Sequence, residues 1–391
     1  MHYADMAEAI YGDSLTSART LQKSIDAFLA QPTEVNLAGA RAAWKASRIP
    51  YLQSEGFRFA NSVVDGWEPR VNAWPLDEGL IDYVAPSYGQ QSDQNPLYTL
   101  NVIANEKLRV GARIVDATVV DANLLRQLQQ AEGVQTNVST GYHAIEFLLW
   151  GQDLKGLSGG AGERPASDYD ATACTHGNCA RRAAYLRAAS NLLVADLEEM
   201  TADWRAGGKA RAELMAKGRD GALAEILTGL GSLTFGEMAG ERMKLGLMLH
   251  DPEEQQDCFS NDTHNSHYYD EEGIEELWRG RYVRLDASTL RGASMRDYVT
   301  AIDPAAAQRL DAAIDAAKDT VAAIRNAADS KRMAYSQMIA AGNAEGNKLV
   351  QAAMDALVAQ TRAIEAVAAA LHLAVASNRS DRNGGGAAAL N

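Results

Sequence analysis

The chain has 391 residues, a formal net charge of −14 and 47% hydrophobic residues, enough for two or three domains with ample core. That acidity excludes nucleic acid and anionic membrane surfaces as partners, because both select basic patches. No run of 18 apolar residues occurs, since the longest, near Ala366–Ala376, is interrupted by His372; no transmembrane segment is expected.

Hydrophobic periodicity predicts one helix after another, and strand signals are nearly absent. Ser14 opens a helix over Leu15–Leu29 that Pro32 ends. A second runs over Val35–Ile49, breaks or kinks at Pro50 and continues through Tyr51–Val64. Asp65–Asn95 is a long segment rich in Gly, Pro, Asn and Asp, with a short helix over Pro75–Val84. A loop of that length in a compact domain is usually functional. Helices follow at Leu97–Glu106 and Ala117–Glu132.

Val138–Leu154 is the stretch around which the rest is organised. It predicts a helix opening near Asn137 or Ser139 and closing at Gly151, apolar nearly all round and therefore buried. Ser139, His143, Glu146 and Trp150 form its one polar stripe. A buried imidazole and carboxylate require a hydrogen-bond network, a counter-charge or a metal. Gly141, unfavourable inside a helix, suggests that another backbone or a ligand comes close beside His143.

Lys155–Thr175 reads as a linker, followed by long helices near Ala180–Arg205, Lys209–Gly229, Leu233–Leu249, Pro304–Ala328 and Ala344–Ala376. Asp251–Gly273 reads as an acidic loop too charged to pack by itself. The pattern predicts an all-α fold of two helical, four-helix-bundle-like units end to end. The expected division is a 1–155 bundle carrying the polar stripe, a 156–179 linker, a 180–377 bundle with the acidic loop 251–273, and a disordered tail at 378–391.

Other ionisable groups could complete a site. Arg48, Tyr51 and Glu55 share a helical face; their bland reading is a solvated face with an intrahelical ion pair. Asp77 and Glu78 stand in the first turn after Pro75, where capping alone would explain them. Glu237 and Glu241 are like charges at i, i+4 and call for a cation, either Arg242 or a metal. Asp257, Asp262, His264, His267 and Asp270 form a second candidate cluster of N/O ligands, with His264, His267 and Asp262 as its metal candidates.

G-Y-H-A-I-E-F-L-L-W-G-Q-D at Gly141–Asp153 resembles the G-x-H-x-x-E segment of the imelysin family, the imelysin-like peptidase group that includes iron-regulated periplasmic proteins. W-P-L-D-E at Trp74–Glu78, F-G-E-M-A-G-E-R-M at Phe235–Met243 and C-F-S-N-D-T-H at Cys258–His264 resemble its iron-regulated protein A branch, in order, from about Ser14 to Ser377. The resemblance implies two related four-helix units with the G-x-H-x-x-E helix at their junction. It implies a divalent metal, iron first, with zinc or manganese as alternatives, held by His143 and Glu146. Glu55, Asp77, Glu78 and Glu241 enter the ligand set as members of the recurring motifs. Gly141, Arg48, Tyr51, Ser139 and Arg242 are further site candidates.

The function expected on this basis is cation binding in iron uptake or homeostasis, with an uptake partner at the outer or inner membrane. A metallopeptidase is the first alternative, although neither H-E-x-x-H nor H-x-x-E-H occurs. A module binding a non-metal ligand or partner in the inter-bundle cleft is the second. A ferritin-like di-iron enzyme is set aside, because no His has Glu three positions before it. The N-terminus lacks a charged n-region and an apolar h-region. An exported family then implies a periplasmic or outer-membrane-associated protein read without its signal peptide. In that compartment Cys174 and Cys179 are expected to be bridged, while a bridge from Cys258 to either one also fits the sequence.

Overall fold

The computed structural model describes residues 1–375, so the tail expected at 378–391 lies outside the described residues. The fold is predominantly α-helical. His2–Ala30 is the first helix, beginning well before the expected Ser14, with Ala7, Ile10, Tyr11, Ala18, Leu21, Ile25 and Phe28 on its buried face. Thr33 caps the second helix, Glu34–Leu52, by accepting the Asn36 N–H. Pro50 falls in its last turn, and the chain then tightens into a 3₁₀ turn at Glu55–Phe57 rather than continuing as a helix. A short helix at Ser62–Trp67 follows.

His2–Ala30 packs along both Glu34–Leu52 and Cys179–Trp204, and Gly141–Trp150 lies against the latter two. The helix starting at Cys179 therefore contacts elements on the N-terminal side of the expected boundary. Pro304–Asp329 and Ala344–Ala370 pair with each other and enclose Thr263–Arg279 and the segment Ser232–Lys244. Thr263–Arg279 also packs on Glu34–Leu52 and on the 3₁₀ turn. The crossing is close because Gly273 has no Cβ to meet the Gln53 backbone.

Two further expectations change. The helices expected at Leu97–Glu106 and Ala117–Glu132 are replaced by turns, a hairpin and a shorter helix, Ala122–Leu128. Lys107–Val110 pairs antiparallel with Arg113–Asp116, because Leu108 and Val110 alternate with Lys107 and Arg109 and bury one face. A second small hairpin pairs Arg281–Val283 with Thr289–Arg291. The acidic segment 251–273 is a loop only in its first half, and there Gln255–Ser260 is already buried. From Thr263 it is a helix with His267, Asp270 and Glu271 buried, since Arg242 and Gln360 supply partners for its carboxylates. Cys174 and Cys179 form a disulfide, and Cys258 is a buried free thiol.

Candidate metal centre

Every residue of the helix Gly141–Trp150 is buried. Gly141 is its first residue rather than a mid-helix position. Its φ of +83° and the Val71 backbone against it exclude a side chain. Tyr142 N–H donates to the Val71 carbonyl at 2.7 Å, which fixes the helix start. One turn on, His143 and Glu146 face the same way, with Nδ1 of His143 3.0 Å from Oε2 of Glu146.

The third member comes from far along the chain. Asp257 Oδ1 lies 3.7 Å from His143 Nδ1 and 3.1 Å from Arg48 Nη2. Its other oxygen accepts the Ser266 hydroxyl. Among the described residues, one ligand-type atom each from His143, Glu146 and Asp257 lies within 4.8 Å of the others, and all three side chains are buried. His143 Nε2 is buried with no hydrogen-bond partner. Burial, followed by the Arg48 charge, pushes the imidazole down to about 3, so it is neutral at neutral pH. Burial and the neighbouring Asp257 push Glu146 well above the usual carboxylate range. Asp257 stays below that range, held ionised chiefly by Arg48 against its burial.

A wider network surrounds the three. Arg48 donates to Asn72 Oδ1 at 2.6 Å, and Asn72 donates to Glu55 at 2.8 Å. Arg242 donates to Glu55 at 2.6 Å and to Asp270 at 2.7 Å, and lies 3.3 Å from Glu237. Arg58 lies 3.5 Å from Glu68 and 3.6 Å from Glu237. The buried network thus sets the guanidiniums of Arg48, Arg58 and Arg242 against the carboxyl groups of Glu55, Glu68, Glu146, Glu237, Asp257 and Asp270. Negative groups outnumber positive ones, and the surplus must be relieved by protons or by a cation. Glu68, Glu146 and Asp270 all sit above their ordinary range, burial being the largest cause for each.

The arrangement of Arg242 depends on helix type. Ser232–Lys244 is a π-helix of 13 residues, a geometry concentrated at functional sites. Across its i→i+5 turn Arg242 Nη2 comes within 3.3 Å of Glu237 Oε2. Arg242 thus supplies the cation that the like-charge pair Glu237 and Glu241 calls for on the Glu237 side.

Residues 7–364 match the imelysin family. The chain belongs to that family. An iron-regulated protein A from Synechococcus elongatus is 30% identical over 84 residues, which cover 21% of this chain and 24% of that relative's own length. Among solved structures, a proposed iron-regulated protein A precursor from Parabacteroides distasonis superposes with a TM-score of 0.65 at 16% identity, covering 94% of each chain. An imelysin-like protein from Psychrobacter arcticum gives 0.62 at 15% identity, over 96% of this chain and 94% of that one. At these identities the two structures bear on the fold.

Within this imelysin fold the other expected residues fall in separate places. Glu55 and Arg242 belong to the surrounding network. Tyr51 packs on Tyr142 with ring centroids 5.0 Å apart, and the Arg48 guanidinium lies over both rings. Ser139 donates to the Leu125 carbonyl at 2.7 Å. Asp77 accepts from Thr136 and Asn95, and Glu78 lines a cavity with Tyr88, Gln152 and Glu253. Glu241 lines a 260 Å³ cleft together with Arg58, Glu68, Asn72, Glu237 and Arg242. That cleft reaches the network through Asn72 and Arg242.

The second candidate cluster does not converge on one point. Asp262 pairs with Lys45 at 3.0 Å, His264 lies 3.2 Å from Asp329, and His267 packs edge-on to Tyr335. Its member Asp257 joins His143 instead. No spacing rule marks that residue, because its partners lie on other segments.

Proposed function

We propose that this imelysin-family protein binds a divalent cation at His143, Glu146 and Asp257, in an iron-related role outside the cytoplasm. The observation that carries the reading is the buried N/O/O donor set with a neutral imidazole, embedded in a network with surplus carboxylates. Such mixed donors suit iron, zinc or manganese. A bound cation would supply the positive charge that Glu146 lacks and would add to the one that Arg48 gives Asp257. Arg48 orients Asp257, and the Ser260 N–H orients Glu146 at 2.8 Å. The iron-related role is supported by the relatives named iron-regulated protein A. No helix among the described residues is long and apolar enough to cross a membrane, so an uptake partner would supply any passage across one.

Calorimetry with Fe²⁺ under anaerobic conditions, and with Zn²⁺ and Mn²⁺, on wild type and His143→Ala tests the reading. One binding event lost in the variant, with helical content retained, is expected. Equal binding by both proteins would overturn it. Peptide hydrolysis lost in His143→Ala would promote the peptidase reading.

A further inference from the structure

A cavity of about 910 Å³ lies away from the metal centre, and the hairpin of Arg281–Val283 and Thr289–Arg291 forms one of its walls. In the hairpin register Arg281 stands directly opposite Arg291, and both line the cavity. Opposed residues of an antiparallel pair project from one face, so two like-charged side chains leave the hairpin on the same side, an unfavourable pairing.

The other arginines of this cavity are neutralised. Arg279 pairs with Glu275 and Asp315, each at 2.5 Å, Arg284 with Asp13 at 2.6 Å, and Arg296 with Asp311 at 2.8 Å. Among the described residues, the side chains of Arg281 and Arg291 have no such partner. Of the other acids lining the cavity, Glu275, Asp311 and Asp315 are engaged by these arginines, Glu272 lies 3.8 Å from Lys318, and Asp297 makes no ion pair with Arg281 or Arg291 among the described residues. Burial pushes Glu276, on the same wall, up to about 9, so it carries no charge at neutral pH.

The hairpin itself is firmly mounted. Tyr282, on its opposite face, donates its hydroxyl to Asp13 at 2.9 Å, and the Leu285 N–H donates to the same carboxylate at 3.1 Å. Five arginines between positions 279 and 296 also stand out in a chain of net charge −14.

We propose that Arg281 and Arg291 jointly bind a multiply charged oxyanion, a phosphate or a polycarboxylate, in this cavity. Two planar guanidiniums on one face match an anion that offers two oxygen edges, and the shared anion offsets their unfavourable pairing. The site does not depend on the metal reading.

Calorimetry on the full chain at low ionic strength, with inorganic phosphate in one arm and citrate in the other, decides it. Wild type should bind at least one of them one-to-one, and added NaCl should weaken the binding. Binding of phosphate alone assigns the site to phosphate, and binding of citrate alone assigns it to polycarboxylates. Arg281→Gln/Arg291→Gln should weaken binding at least about tenfold, with an unchanged circular dichroism spectrum. Arg291→Gln alone gives the same readout in a milder form should the double variant fail to fold. His143→Ala should bind the anion as wild type does. Absence of binding of both anions to wild type, equal affinity in the arginine variants, or loss in His143→Ala would overturn the proposal.

Discussion

Ser260, 114 residues beyond Glu146 in the chain, donates its backbone N–H to Oε1 of that carboxylate at 2.8 Å, leaving Oε2 to face His143. This single bond ties the segment after the acidic stretch to the centre of the polar helix. It also holds Asp257, three residues earlier, within reach of His143.

Asp257 should therefore matter more to cation binding than the acids nearer the surface. Asp257→Asn is expected to weaken binding at least about tenfold. Glu241→Gln and Asp77→Asn should leave affinity within about twofold, since neither joins the donor set. A titration in which Glu241→Gln is the more damaging change would move the site into the cleft.

Arg242 is the counter-charge for Glu55, Asp270 and Glu237. Arg242→Met should cost about 3–5 kcal/mol, because it leaves buried carboxylates without their partner. Adding Asp270→Asn should recover part of that loss. Urea unfolding measures both; a cost below about 1 kcal/mol for the single variant would contradict the network.

Gly141→Ala combines a left-handed φ with a collision against the Val71 carbonyl. The strain alone is of order 1–3 kcal/mol, so a clear fall in thermal midpoint is expected. An unchanged midpoint would show that the junction between Val71 and the helix start can yield.

Two buried groups give opposite pH dependences. Burial lowers His267 from 6.5 to about 3, so only the unfolded chain takes up that proton, and stability falls as pH drops from 6.5 towards 3. Burial raises Glu271 from 4.5 to about 8, so stability present below 4.5 is lost as pH rises towards 8. Between 4.5 and 6.5 the two effects oppose each other. His267→Gln should flatten the acid limb, and Glu271→Gln the limb above 6.5, each by about 1.4 kcal/mol per pH unit. Urea midpoints collected from pH 3 to 9 would refute the assignment if variant and wild-type curves ran parallel.

Thiol titration of denatured, unreduced protein should find one reactive group, Cys258, which burial hides in the native state. Three thiols would contradict the Cys174–Cys179 bridge.

The pair His143 and Glu146 is legible in the sequence because apolar residues surround it, so its polarity stands out against the helix that carries it. Asp257 is not, because it sits among other acids and only the folded chain selects it. The same contrast applies to the fold. Long helices with a regular apolar stripe, such as Pro304–Asp329, are read directly. Thr263–Arg279 hides behind its own charge, because Asp270 is neutralised by an arginine on another helix. The short hairpin at Lys107–Asp116 carries only a few alternating residues, too few to outweigh the helical pattern around it.

The wide coil at Ser232–Lys244 makes the centre sensitive to chain length rather than to chemistry. Deleting one residue within Gly236–Gly240, with the turns on either side held by their packing, would rotate everything downstream by about 100°. Arg242 would then swing away from Glu55 and Asp270 although no charged residue had been removed. In this region the spacing between residues is as much a part of the site as their identities.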